Sequence, residues 1–558
     1  MYNPIALLMA CLLICTCATA QVSTLTIDVK SSEKIYVNDK DSFQYATGYQ
    51  LIIRQGTTLF KADSVYISNK LNDQYMEAFG NVYINDNDSV ITKAKYLKYL
   101  INTKVALLKQ DVSITSSGGN ITSQEVTYDM NTKLATYTNG ATIVSKKSKL
   151  TSKAGQYYSN SKDALFTNKV VLTGPEYKVY TDSLYYNVNT EIANFVMYTK
   201  VVNIKKNQVI ETTRGYYDMK LGIAKFSERS KIIDNGKLII ADKMDMDDNN
   251  KKFKLEGKAI YIDSIKQEYY YGNLIDFDSK QELYHMEGNA IIRNEKENFV
   301  ITGNYLDGDG KAGKFLARGK PVAIIKQEQD SIYIAADTLY SGRIIQKLKV
   351  RTDSITKLTS IDTITYNKND TATRYFEAFH HVRIYSDSVQ AVADSLYYSE
   401  ADSTFRLYQN PIVWNATNQI TGDTMYLFTK NKKAERFQVF EKAFVINLVE
   451  PKFYNQIKAN TINGYMHNGS IDSLLAKGSA EIIFYIQDDA KGFVGVDKSS
   501  ADRIYSYFKD KEIYKIKWIN KYNALTTPMR QANHELLRLR GFTPQYNLRP
   551  KSKFELFF

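Results

Sequence analysis

One phrase is written twice in this chain, three hundred residues apart, and that repetition limits the possible folds more than any other property. "MEAFGNVYI" occupies residues 76–84 and "FEAFHHVRI" residues 376–384. Each leads into Asp-Ser-Val, ending at Val90 and Val389, and then into a stretch led by Ala and rich in Tyr. Those stretches are "AKYLKY" at 94–99 and "ADSLYY" at 393–398. Weaker copies lie between and beyond, each a small or polar pair before an apolar residue. They include Gln110-Asp111-Val112, Asn168-Lys169-Val170, Thr199-Lys200-Val201, Gly257-Lys258-Ala259, Gly288-Asn289-Ala290, Asn410-Pro411-Ile412, Glu441-Lys442-Ala443 and Gly478-Ser479-Ala480. Most steps are about 30 residues, the range of repeat architectures.

The second phrase recurs as "ADSVYI" (62–67), "SQEVTY" (123–128), "TDSLYY" (181–186), "ADTLYS" (336–341), "GDTMYL" (422–427) and "ADRIYS" (501–506). A unit is therefore strand, turn, strand, turn. Met76, Ala78, Gly80, Val82 and Ile84 alternate with Glu77, Asn81 and Tyr83, the period of a half-buried strand. "NKLND", "DMNTK" and "NVNTE" supply turn residues. One hairpin cannot bury its own apolar face, whereas stacked copies cover one another. This predicts an all-β array over residues 21–340 and 371–510, with a degenerate copy or insertion at 341–370. A tail at 511–558 carries a short expected helix over 531–540 in "RQANHELLRLR".

Composition agrees with strands: 43 Tyr against 27 Gly and 8 Pro in 558 residues. The net charge of +13 suits an anionic partner such as a lipid phosphate, and equally suits solvated strand faces. All three cysteines, Cys11, Cys15 and Cys17, fall in the first twenty residues. That stretch has an apolar core from Ile5 to Ile14 and then Ala18-Thr19-Ala20, so a cleaved export signal over 1–20 is expected, with Gln21 the mature start. No later stretch is long and apolar enough for a membrane helix.

The motifs that suggest chemistry are better explained as turns. "MDMDDNNKKFKLEG" spaces Asp245, Asp247, Asn249 and Glu256 like a calcium loop, but Asn250 stands where glycine is needed and the flanks read as strands. "GDGKAGKF" at 308–315 lacks the Ser or Thr of a phosphate loop. His380 and His381 are adjacent on a strand and would face opposite sides. Asp-Ser pairs recur once or more per unit. No catalytic residue, metal site or cofactor is assigned.

The stretch "GTTLFKADSVYISNKLNDQYMEAFGNVYI" (56–84) resembles the OstA-like, or organic-solvent-tolerance, domain of lipopolysaccharide-transport proteins. The matching features are Ala62-Asp63, the turn from Asn69 to Asp73, and Ala78-Phe79-Gly80-Asn81-Val82. "HHVRIYSDSVQAVADSLYYSEADSTFRLYQNPIVW" resembles it again in a long form without a barrel. The resemblance implies an elongated open β-jellyroll in the periplasm, associated with the outer membrane. It implies lipopolysaccharide as ligand, its lipid A acyl chains in an apolar groove. It also implies other transport proteins as partners, docked by strand addition at open sheet ends, with no nucleic acid involved. Candidate groove residues are Met76, Ala78, Val82 and Ile84, and Phe376, Ala378, Val382 and Ile384. A structural or adhesive β-solenoid with a filled core is the other reading. A glycan-binding module is a third, with only Trp414 and Trp518 to form platforms.

Overall fold

The computed structural model describes residues 24–557 apart from 87–89, 146, 328–329, 345, 353–358, 366–373, 431–432, 468–469, 491 and 510–511. For 346–352, 359–365 and 512 only the backbone is described. The expected leader at 1–20 lies outside these residues, as does the pair Asp88-Ser89. Among the described residues there is no α-helix; the chain is all-β, with short 3₁₀ turns. It divides into two compact units, one ending at Lys220 and one starting at Leu221.

The first unit opens with long antiparallel strands, each paired with the next. They are Phe43–Gln55, Thr58–Lys70, Asp73–Asp86, Val90–Leu100, Val105–Ser116 and Gly119–Asp129. Further on, the repeat near 139 is broken into Leu134–Tyr137 and Ala141–Val144, and the repeat near 199 into Ile192–Phe195 and Thr199–Asn203. Three residues separate the halves at each break.

The second unit follows the same plan in Lys252–Asp263, Glu268–Asp278, Leu283–Asn294 and Phe299–Asp309, and later in Arg374–Tyr385, Lys433–Glu450, Phe453–His467, Ser470–Gln487 and Phe493–Lys509. Gln346–Thr352 and Thr359–Thr365 form a separate two-stranded ribbon. The strands before and after it, Thr338–Arg343 and Arg374–Tyr385, pair directly with each other.

The repeated small or polar pair is a corner. Gly80 and Asn81 both have positive φ (70° and 39°), as do Gly257 and Lys258 (74° and 42°), His380 and His381 (60° and 52°) and Glu441 and Lys442 (51° and 50°). Two successive left-handed residues turn the strand sharply, and the ladder shifts register at the same place, as between Phe79 and Val82. Such residues cost about 1–2 kcal/mol each unless glycine, which explains why Gly recurs at the first position. Here the structure departs from the simple alternation expected from sequence: Gly80 and Asn81 do not sit on opposite faces of one straight strand. In the copy near 410 the left-handed pair is Gln409 and Asn410, one residue before the expected place.

The second phrase supplies the other half of several corners. Asn81 donates from Nδ2 to Asp63 Oδ2 at 2.8 Å. The backbone N–H of Lys169 donates to Asp182 at 3.2 Å, and Arg229 pairs with Asp242 at 2.6 Å. His381 meets Asp337 at 2.9 Å and Lys442 meets Asp423 at 3.2 Å. At these places the two phrases meet, which ties their recurrence together.

Beyond a corner the strand doubles back over itself. Phe253 and Tyr261 lie on one strand, eight residues apart, which would span about 27 Å if extended. Their rings stack with centroids 5.3 Å apart. Each long strand therefore contributes a half to each of two facing layers, and the apolar residues of both halves point between them.

The expected tail over 511–558 begins as sheet, with Glu512–Ile519 and Asn523–Pro528 both paired to Phe493–Lys509, and the expected helix over 531–540 is absent. Met529–Gln531 is a single 3₁₀ turn, and an isolated turn around Asn533 follows. Helical hydrogen bonding gives way because the Leu537 carbonyl and Leu539 N–H are bound by the Gln456 side-chain amide (3.0 and 2.9 Å), with Leu539 buried on the sheet.

Candidate functional site

The space between the two half-layers is the candidate site. In the first unit Met76, Ala78, Val82 and Ile84 are 0–2% exposed. Ala78 stands between Val65 and Leu97, and Ile84 faces Phe60 on the adjacent strand. In the second unit Ala378 and Val382 are buried while Phe376 and Ile384 are half-buried, and Ala378 stands between Leu339 and Leu396. The structure so brings each foursome to one strand and one interior face. Tyr83, on the opposite face, has the Lys61 ammonium over its ring at 5.8 Å.

The ends of the half-strands meet at a seam opposite the corners. Tyrosines close it in the first unit, because the last position of the second phrase falls there. Tyr99, Tyr128, Tyr157, Tyr186 and Tyr217 are all buried. The Tyr99 hydroxyl donates to Gln55 Oε1, the Gln55 amide nitrogen donates to the Ile101 carbonyl at 3.2 Å, and the Tyr99 ring lies 4.8 Å from Phe60. The Tyr128 hydroxyl donates to Asp86 at 3.4 Å, and the Lys133 ammonium pairs with the same carboxylate. Burial, and then the Asp86 charge, push the hydroxyls of Tyr99 and Tyr128 above the ordinary phenol range. They stay neutral donors. In the second unit Phe253, Tyr261, Phe277, Tyr270 and Tyr284 hold the corresponding place with ring contacts of 5.1–5.9 Å. These closures were not foreseen from sequence, although the 29-residue spacing of Tyr99, Tyr128, Tyr157 and Tyr186 was there to be seen.

The facing surfaces are lined by Ala, Val, Leu, Ile and Met and edged by neutral phenols. Of two solvent-open concavities, about 530 and 580 Å³, the first borders the ring cluster at Tyr284. The first includes Asp276, His285, Asp307 and Tyr340; the second includes Asp111, Gln124 and Thr142. His285 bridges Asp307 (2.6 Å) and Glu287 (2.7 Å), which raise its pKa. The calcium-like stretch is a hairpin turn in which Asp247 accepts from the Asn250 backbone at 2.9 Å. "GDGKAGKF" turns between Phe299–Asp309 and Lys314–Arg318. Among the described residues no cluster of His, Cys, Asp and Glu is placed to hold a metal, and no helix is long and apolar enough to cross a membrane.

Residues 22–182 match the family described as OstA-like protein, so this part of the chain is OstA-like. No curated protein matches the chain. Among solved structures it is similar to LptH, the LptA-homologous periplasmic component of the lipopolysaccharide transport device of Pseudomonas aeruginosa. That similarity has 15% identity and a TM-score of 0.18, over 20% of this chain and 80% of that one.

Proposed function

We propose that this chain, OstA-like over residues 22–182, is a periplasmic lipopolysaccharide-transport or outer-membrane-assembly protein that shields acyl chains between its half-layers. The observation that carries this reading is the doubled strand. Within each unit, successive repeats add apolar slots side by side, with Met76, Ala78, Val82 and Ile84 as the pattern. Each methylene kept from water is worth about 0.8 kcal/mol, so cover is the main thing a lipid needs in an aqueous space. Lipid enters at the seam, where the layers are joined by side chains such as Tyr99 and Gln55, whereas the corners are covalently continuous. The drive comes from a partner, since the protein itself acts without catalysis. Partners add strands at the sheet ends. The early strand Lys34–Asn38 leaves Ile35, Tyr36 and Val37 exposed for this.

The second reading, a structural solenoid with a filled core, is favoured by how closely the interior packs: Met76 and Ala378 are 0% exposed. Photo-crosslinking separates the two. A crosslinker at Val82 or Val382 is expected to capture lipopolysaccharide in cells, and one at Tyr83 or Arg383 is not. Val82→Asp is expected to stop transport while folded protein is still recovered, because an unpaired carboxylate there is costly to desolvate. Equal capture from both faces, or none from either in folded protein, leaves the filled solenoid.

A further inference from the structure

In the second unit, burial loses its two-residue alternation over one set of half-strands. Phe444, Val445, Ile446 and Asn447 are buried in succession, as are Asn418, Gln419 and Ile420. Both faces of the layer are covered there. Ala391, Ile420, Val445, Ile457 and Ile482 face the interior, while Gln390, Trp414, Gln419, Ile446, Gln456 and Ile483 form a row on the outer face. The chain's own tail covers that outer face.

The contacts are those of a bound peptide. Gln456 receives the Leu539 N–H on Oε1 and donates from Nε2 to the Leu537 carbonyl (2.9 and 3.0 Å). Gln419 repeats the pattern six residues on, with the Gln545 N–H and the Thr543 carbonyl (2.7 and 2.9 Å). Each amide reads the carbonyl of residue i and the N–H of residue i+2, as a neighbouring strand would. Arg549 donates to Gln390 at 2.8 Å and to the Ala416 carbonyl at 2.9 Å. Leu539 packs with Phe444, Ile446, Ile483 and Val496, and Leu556 with Val322 and Ala335. From Gln456 to Tyr333 the tail crosses seven half-strands, about 30 Å at ordinary strand spacing.

We infer that this outer face is a peptide-binding surface, filled in cis by residues 537–556, that accepts the same segment from a second copy of the chain. Residues 537–556 pair with no strand, and their backbone is held by side-chain amides and two leucine anchors. Every copy carries the one sequence that this face already fits. Exchange of tails would join two chains through their second units, independently of any lipid.

The three native cysteines all lie within residues 1–20, so the chain from Gln21 can be labelled at single introduced sites. Chains labelled with a donor at Lys551→Cys are mixed with chains labelled with an acceptor at Glu450→Cys, both exposed positions. Energy transfer between copies is expected to grow over hours. Arg549→Ala, which removes two charge-assisted hydrogen bonds, is expected to speed it about tenfold. In Leu539→Asp/Leu556→Asp transfer is expected to vanish, and that variant is expected to bind a synthetic 529–557 peptide. Absence of transfer in the parent and Arg549→Ala chains alike would overturn the proposal. So would transfer that persists unchanged in the double variant.

Discussion

The α-carbon of Gly257 faces the Asp242 carboxylate so closely that a methyl group there would lie 2.6 Å from Oδ2. The same closeness recurs between Gly80 and Asp63 and between Gly288 and Asn273. Gly80 and Asp63 belong to the two phrases that the sequence repeats. Gly257→Ala is expected to lower stability to urea through two separable effects. The left-handed φ of 74° costs about 1–2 kcal/mol for a residue with a Cβ, and the clash adds to it. Because the added methyl would also lie 2.9 Å from the Asp242 Cβ, only an Asp242→Gly background should leave the first effect alone, so the two substitutions should be non-additive in a double-mutant cycle.

Lys133 and Asp86 are 20% and 7% exposed at their side chains, which makes theirs a largely buried ion pair at the seam. Lys133→Met is expected to destabilise the protein by about 3 kcal/mol, because the carboxylate is left buried with its cation gone. Adding Asp86→Asn should recover much of that loss. A Lys133→Met chain as stable as the parent in thermal unfolding would show that the pair does not hold the seam.

His285 gives a pH dependence of known sign. Asp307 and Glu287 raise its pKa, so the folded protein holds the proton more tightly than the unfolded chain. The stabilisation is full below the ordinary imidazole value of about 6.5 and is lost as pH rises through the raised one. The urea midpoint of the parent should therefore fall relative to His285→Gln between pH 6 and 9. Parallel curves for the two proteins would refute it.

Trp414 is fully buried in the row under the tail, between Gln390 and Gln419, and Trp518 is half-buried. In a Trp518→Phe chain the emission of Trp414 should be blue-shifted. Leu539→Asp/Leu556→Asp should move it to the red without loss of the strand signal in circular dichroism. An unmoved spectrum would mean that other contacts keep the tail in place.

Much of this architecture was legible in the sequence. The period of about 30 residues, the alternation through Met76, Ala78, Val82 and Ile84, and the reading of Asp245–Glu256 as a turn all rest on local patterning. The corners were harder to see, because left-handed φ is tolerated by Gln110, Lys169 and His380 as well as by Gly80. Side-chain type marks that conformation only weakly. The helix expected at 531–540 failed for a tertiary reason: local propensity there yields to Gln456, some eighty residues earlier. The Asp86–Lys133 pair joins residues 47 apart that look like ordinary turn charges in the sequence.

The tail also sets an order in time. Corner contacts such as Asn81 with Asp63 join residues 18 apart, so successive repeats can form as soon as their neighbours exist. The tail's contacts reach back 81 residues to Gln456, 124 to Gln419 and 159 to Gln390. Closing such long loops has an entropic cost that is offset only once the row of partners has been assembled. The tail therefore docks last, and until it does the chain carries an uncovered apolar stripe. That interval, rather than the finished fold, is when the molecule is most open to misassembly with its own kind.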